Sequence, residues 1–467
     1  MSNEKIGNLE NLDPALSRTS DVSKRGLIIV AVDIVILIAL LKLLPYEPKT
    51  NAGLATLVFI GILWLTEAIH ITITALLVPI VAVMFGLMNT NGALRSFANP
   101  TIFLFFGGFA LATALHIQGI DRLIANRLLL LARGSFGVAA VMLFVGTAAL
   151  SMWISNTATT AMMLPLSLGI LSNLDTEKER GTFVFLLLGV AYSASIGGLG
   201  TIVGSPPNAI AAAELELSFV DWMKFGIPVM LVMLPLMIGI LYLVFRPKMG
   251  HRIEVKSEAF VWTRSRIIAI IIFAVTATCW ILSSKISAAL GGIKDFDSVI
   301  AVAAAVVIGV AGVATWRQVQ ENTEWGVLLL FGGGLTLSAV LRDSGASAVL
   351  AEGLGSALSN SHPLIIIAAV CAFIICLTEF SSNTAAAALL VPLFATVSEA
   401  LGMPKHLLTI VIGIGASMAF MLPVATPPNA IVFGTGLIKQ REMIKAGIWL
   451  VIAAVIVITM FAWLVWS

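Results

Sequence analysis

Ser155-Asn156-Thr157 breaks an apolar region that runs from 136 to 172, and Ser382-Asn383-Thr384 breaks another that runs from 362 to 398, an offset of 227 residues. Serine, asparagine and threonine in succession compete with the helical backbone and favour caps and turns. Each triplet therefore reads as the tip of a helical hairpin, followed by a helix whose first amides point back at the tip. Irregular backbone at membrane depth is tolerated only where protein buries it or a cavity hydrates it. Those amides, with the asparagine and threonine side chains, suit a carboxylate. A single triplet would serve equally well to cap a helix or to join two helices; the second copy in register favours a shared site.

Three further matches lie around these triplets. Phe106-Gly107-Gly108 corresponds to Phe331-Gly332-Gly333 at an offset of 225, Pro165 to Pro392 at 227, and Ser205-Pro206-Pro207-Asn208 to Thr426-Pro427-Pro428-Asn429 at 221. Four matches in the same order point to an internal duplication. Proline suits the first turn of a helix, where its missing amide costs nothing, and serine or threonine before it is a natural N-cap. Each Pro-Pro-Asn segment reads as a span that unwinds and restarts, with Gly197, Gly198, Gly200 and Gly204 upstream in one copy and Val424-Ala425 in the other. Unwinding frees main-chain carbonyls, hard oxygen ligands that suit sodium. A simple proline kink is the plainer alternative, but both breaks fall in register with the repeat.

Of the 467 residues, 59% are hydrophobic and only 11% charged, with a mean hydropathy of +1.03. A soluble domain of this length needs more charge to cover its surface, and apolar runs long enough to cross about 30 Å of hydrocarbon recur throughout. The net charge of +2 gives no reason to expect a nucleic-acid partner. Cys279, Cys371 and Cys376 sit in apolar stretches without metal-ligand spacing, so neither a disulfide framework nor a metal cluster is expected. The predicted fold is an all-α polytopic membrane protein of about eleven transmembrane helices plus two re-entrant helical hairpins, arranged as two inverted repeats. Its expected parts are a cytoplasmic N-terminal tail at 1–25, a first span and loop at 26–52, a first repeat at 53–247 with its hairpin at 136–172, a cytoplasmic linker at 248–264, and a second repeat at 265–467 with its hairpin at 362–398. The tail is read as leading into a retained span rather than a cleaved signal. With both broken regions counted as hairpins, basic clusters such as Arg122, Arg127 and Arg133, or Lys439, Arg441 and Lys445, fall on the side of the N-terminus. That is the positive-inside pattern; it puts the N-terminus in the cytoplasm and the C-terminus in the periplasm. An odd number of crossings per repeat inverts the second copy, and inverted repeats broken at matching positions point to a carrier with a midplane site.

Neither tip and neither broken segment contains arginine or lysine. A dianion bound there would need bound cations to balance it, which would also couple its movement to an ion gradient. Glu67 and Glu379 lie near membrane depth, but their positions near span ends suggest interfacial or structural roles. Trp153 reads as a packing residue near the site. No nucleophile, metal cluster or acid/base pair has the spacing an intramembrane enzyme needs, and paired hairpins closing on one centre argue against an open channel.

The paired Ser-Asn-Thr triplets and paired Pro-Pro-Asn segments resemble those of the divalent anion/sodium symporter family, in particular its bacterial INDY-type dicarboxylate transporters, over nearly the whole chain after the tail. The resemblance implies a homodimer in the bacterial inner membrane that takes up C4 dicarboxylates such as succinate with sodium, by an elevator-type mechanism in which a transport domain slides past a fixed scaffold. It implies at least two sodium ions per protomer and no organic cofactor. By the same resemblance one sodium site uses Ser151, Ser155, Asn156 and the Gly204 carbonyl, and the other uses Thr378, Ser382, Asn383 and the Ala425 carbonyl. The dicarboxylate lies between the tips, held by Asn156, Thr157, Ser205, Asn383, Thr384, Thr426 and Pro427. The family also includes citrate and sulfate carriers and exchangers, so a sodium-independent exchanger or a proton-coupled carrier of a related anion stands as the alternative.

Overall fold

A computed structural model describes residues 23–132, 134–172, 174–252, 261–358 and 361–467. Most of the expected tail, Arg133 and residues 253–260 of the expected linker lie outside these residues. In hydrocarbon a free amide or carbonyl has no partner, so apolar segments become helices. The first half comprises α1 (Lys24–Leu43), α2 (Pro48–Thr66), α3 (Ile71–Met84), α4 (Thr90–Arg95), α5 (Pro100–Ile117), α6 (Ile120–Leu131), α7 (Phe136–Ser151), α8 (Asn156–Leu171), α9 (Arg180–Gly197), α10 (Pro206–Glu214) and α11 (Phe219–Phe245). The second half comprises α12 (Arg264–Ile281), α13 (Ser283–Ala289), α14 (Phe296–Val310), α15 (Trp316–Asn322), α16 (Trp325–Asp343), α17 (Ala346–Leu358), α18 (Pro363–Thr378), α19 (Asn383–Ala400), α20 (Lys405–Gly415), α21 (Pro427–Phe433) and α22 (Gln440–Phe461). Among the described residues nine helical stretches are long and apolar enough to span a membrane, and the one extended pairing is an isolated bridge between Ser135 and Arg252. The fold is therefore the all-α polytopic architecture expected.

Each break falls where local chemistry dictates. Ser155 and Ser382 N-cap α8 and α19, each hydroxyl accepting the third amide of its helix at 3.4 Å. Proline opens α2, α5, α10, α18 and α21. At 16 residues each, α7 and α8 run about 24 Å, short of a full crossing and suited to a hairpin.

The two halves interlock through the Phe-Gly-Gly helices. α5 crosses α14, and α16 crosses α3. A Cβ at Gly107 would stand 2.5 Å from the Ala301 carbonyl oxygen, and one at Gly333 would stand 2.7 Å from that of Ala75. Only glycine lets the backbones approach this closely. The core lies around α9, where every residue from Thr182 to Gly197 is buried. α1 is the opposite case: it packs on α2 and leaves Leu27, Ile28, Val35 and Ile38 exposed as a lipid-facing surface.

At one end of the bundle, Arg180 at the start of α9 makes a bidentate pair with Glu442 of α22, with N–O distances of 2.8 and 2.7 Å. Beside it, Glu179 accepts from Lys248 Nζ at 2.8 Å and faces His251 at 3.2 Å. The bond from Lys248 is the main reason its carboxyl is held below the usual carboxylate range.

The helix expected to open the first repeat at 53 begins at Pro48 and stops at Thr66, where Glu67 turns the chain in the left-handed region at φ 47. The helix that closes that repeat begins at Phe219, because Ser218 caps it there. The surface helices α4, α6, α13, α15 and α17 were not anticipated, since they are too short or too polar to register as spans.

Candidate functional site

The two tips and the two broken segments meet at a cavity of about 450 Å3. All seven residues expected to hold substrate line it: Asn156, Thr157, Ser205, Asn383, Thr384, Thr426 and Pro427. Ser155, Gly204, Ser382 and Ala425 of the expected cation sets line it too. Ser151 and Thr378, the last residues of α7 and α18, are buried behind the tips.

Around the first tip, oxygen-bearing groups converge. The Asn156 side-chain amide lies 3.3 Å from the Gly204 carbonyl, 3.0 Å from the Ala194 carbonyl and 2.6 Å from the Ser151 hydroxyl. With its nitrogen turned inward the amide donates to all three; with its oxygen turned inward it accepts from Ser151 and completes a nest of four oxygens of the kind that suits a hard cation. Gly198 borders the nest, where a Cβ would stand 2.4 Å from the Asn156 oxygen. At the second tip the Asn383 side-chain oxygen is buried without a hydrogen-bond partner. Thr378 does not turn its hydroxyl proton toward this tip but donates it to the carbonyls of Ile374 and Ile375.

The asparagines of the Pro-Pro-Asn segments do a job the sequence left unassigned. Asn208 Nδ2 donates to the carbonyls of Gly198 and Thr201 at 2.7 and 2.8 Å. Asn429 Nδ2 donates to those of Ala419 and Leu422 at 3.4 and 3.0 Å. In each copy the partners lie ten and seven residues upstream, so one fully buried amide fixes the course of each unwound segment. Thr426 also caps as expected, accepting from Asn429 N at 3.3 Å. Ser205 does not: its hydroxyl makes no capping bond and lies 3.2 Å from that of Ser417 in the other half.

Glu379 is fully buried rather than interfacial. Its carboxylate accepts from the amides of Phe420, Met421 and Leu422 at 2.7 to 3.1 Å, which supplies the second unwound segment with the acceptors its own backbone has lost. In the first half the corresponding link runs in the same direction but is single, from the Thr201 hydroxyl of the segment to the Met152 carbonyl of the tip. Tyr192 of α9 bridges the halves, donating to the Phe420 carbonyl at 2.7 Å.

Two carboxylates line the cavity with no arginine, lysine or histidine among its lining residues. Glu67 was expected to be interfacial or structural; the structure puts it on the cavity wall instead. Glu324 was not singled out, and it lies against the Ser155 hydroxyl. Its signal in the sequence was an acidic residue directly before an apolar span. Trp153 is a packing residue, stacked on Phe219 and Trp280.

Broken helices that meet at a central cavity inside a membrane-spanning bundle define a secondary transporter. The CitMHS family model, described as a citrate transporter, matches residues 61–407, and the chain belongs to that family. It is 58% identical to an uncharacterised transporter of Haemophilus influenzae over 95% of this chain and 97% of that one. It is 33% identical to the sodium-dependent dicarboxylate transporter SdcS of Staphylococcus saprophyticus, covering 91% of this chain and 88% of that one. The crystal structure of the Alcanivorax borkumensis YdaH transporter superposes with a TM-score of 0.54 at 16% identity, covering 79% of this chain and 86% of that one, and so shares the fold.

Proposed function

We propose that this protein couples sodium entry to the uptake of C4 dicarboxylates such as succinate, by elevator-type alternating access, as a homodimer in the bacterial inner membrane. The observation that carries this reading is the cluster of amide, hydroxyl and carbonyl oxygens around Asn156, paired with the unpartnered oxygen of Asn383 at the matching tip. Two sodium ions there would satisfy both sets of oxygens and place positive charge beside a cavity whose lining has none of its own. The sets would be Ser151, Ser155, Asn156 and Gly204 in the first half, and Thr378, Ser382, Asn383 and Ala425 in the second. The dicarboxylate would lie between the ions, its two ends at the amides that open α8 and α19 and its flanks on Thr157, Ser205, Thr384, Thr426 and Pro427. Binding the ions first creates the anion site, which makes the coupling obligatory.

Labelled succinate uptake into proteoliposomes tests this, with an inward sodium gradient and then with potassium in its place. Accumulation with sodium and none with potassium is the expected result. Uptake indifferent to sodium would replace the symporter with an exchanger or a proton-coupled carrier. Citrate is a second reading, favoured by the description of the family model; the two cavity carboxylates disfavour a trianion, and competition by citrate against labelled succinate measures the preference.

A further inference from the structure

Another cavity, of about 550 Å3, shares no lining residue with the one at the tips. It lies between the end of α5, α6 and the flank of α8. On one side stand His116, Arg122 and Asn126. On the other is the face of α8 that carries Ala158, Ala161 and Pro165, and every residue α8 contributes is apolar. The charge is the reverse of that at the tips. There Glu67 and Glu324 stand without a base; here Arg122 and His116 stand without an acid. Asp121, the one acid of α6, is buried and already committed: it accepts from the His116 ring at 2.8 Å and from the Arg122 backbone amide at 2.7 Å. The Arg122 side chain is exposed, and its guanidinium has no ion-pair partner among the described residues. Arg127 on the same helix, and Arg266, whose Nε donates to the Gln118 carbonyl at 3.0 Å, add positive charge at this end of the bundle.

The repeat shows that the bare face of α8 is not a necessity of the fold. At the offset of 227, Ala158, Ala161 and Pro165 correspond to Ala385, Ala388 and Pro392 of α19, and all three of these are buried. α17 packs on α19, and α16 comes so close that a Cβ at Gly334 would stand 3.1 Å from that of Ala388. In the first half α6 packs on α7, and Ala158, Ala161 and Pro165 stay exposed. We propose that this cavity binds an anionic phospholipid, its phosphate on Arg122 and Asn126 and an acyl chain along the exposed face of α8. Basic pockets between transmembrane helices hold acidic headgroups in this way, and the planar fork of arginine matches phosphate oxygens. A soluble anion would use Arg122 but leave the α8 face bare; a neutral lipid would cover that face but leave Arg122 unmatched. Ala158 directly follows Thr157 of the first tip, so the bound chain would lie against the hairpin that carries the transport site. The inference does not depend on the identity of the cargo.

The test is titration of the delipidated, detergent-solubilised protein with dioleoyl phosphatidylglycerol and with dioleoyl phosphatidylcholine, the bound lipid counted by native mass spectrometry. The unmodified protein is expected to retain phosphatidylglycerol in preference to phosphatidylcholine. R122Q is expected to weaken phosphatidylglycerol about fivefold and to leave phosphatidylcholine unchanged, whereas R122K, which keeps the charge, should hold most of the affinity. A161W, which fills the groove on α8, should weaken phosphatidylglycerol with the basic group intact. Equal retention of the two lipids by the unmodified protein would overturn the inference, as would an equal loss of both in R122Q. A preference for phosphatidylglycerol that survives both R122Q and A161W would place the lipid elsewhere. Displacement of phosphatidylglycerol by glycerol 1-phosphate, which has the headgroup chemistry without the chains, would overturn the lipid in favour of a soluble anion.

Discussion

Trp153 and Phe380 hold matching positions, each two residues before the serine of its triplet, and their surroundings are opposite. Trp153 lies in an aromatic stack, its ring 5.9 Å from Phe219 and 6.4 Å from Trp280. Phe380 is 78% exposed and lines the open cavity, beside Val424 at 80%. The polar plan of the two tips is the same: a capping serine, an asparagine that opens the helix beside the cavity, and an asparagine amide holding the unwound segment. Duplication preserved the parts that handle charge. What differs is the part that meets the access path, because a carrier open on one side must be closed on the other, and no single conformation can treat both tips alike. The anchors differ too. The second tip holds its segment with a carboxylate on three amides, the first with one hydroxyl on one carbonyl.

That inequality gives the largest expected effect. Glu379→Ala strands three amides, that of Phe420 fully buried, and should cost about 3–5 kcal/mol, seen as a fall in the melting temperature of the detergent-solubilised protein. Thr201→Val, the corresponding loss in the first half, should cost about 1 kcal/mol. Equal losses would mean that the two anchors are equivalent after all. The clamps should behave as a matched pair. Asn208→Ala and Asn429→Ala each remove two buried hydrogen bonds, for about 2–3 kcal/mol apiece, and both should abolish sodium-dependent uptake; a large effect from only one would break the symmetry drawn here. The smallest contrast lies at the tips. Trp153→Ala should cost about 2 kcal/mol through lost packing, and Phe380→Ala less than about 0.5 kcal/mol, by the same melting measurement.

Much of this architecture was legible because it depends on composition and spacing. A polar triplet inside an apolar region is conspicuous, and so is a proline pair repeated at a fixed offset. The roles of Glu324 and Glu67 were hidden, because both sit at helix ends that look interfacial in one dimension and reach the cavity only once α2 and α16 are packed against the hairpins. Ser205 misled for a similar reason. The rule that serine caps a following proline helix is local, whereas its actual neighbour, Ser417, lies 212 residues away. The short helices α4 and α15 carry too few apolar residues to announce themselves.

Phe420 has a mechanical consequence. Its amide is held by Glu379 from the second tip, and its carbonyl receives the hydroxyl of Tyr192 from the core helix of the first half. One peptide unit on either side of that residue therefore joins a tip, an unwound strand and a helix belonging to different halves of the chain. A joint tied in this way from several directions has little freedom to flex, so the cargo compartment should travel as one rigid body. The bending has to be done by the segments that enter and leave it, and stiffening those connectors would slow the protein without touching what it binds.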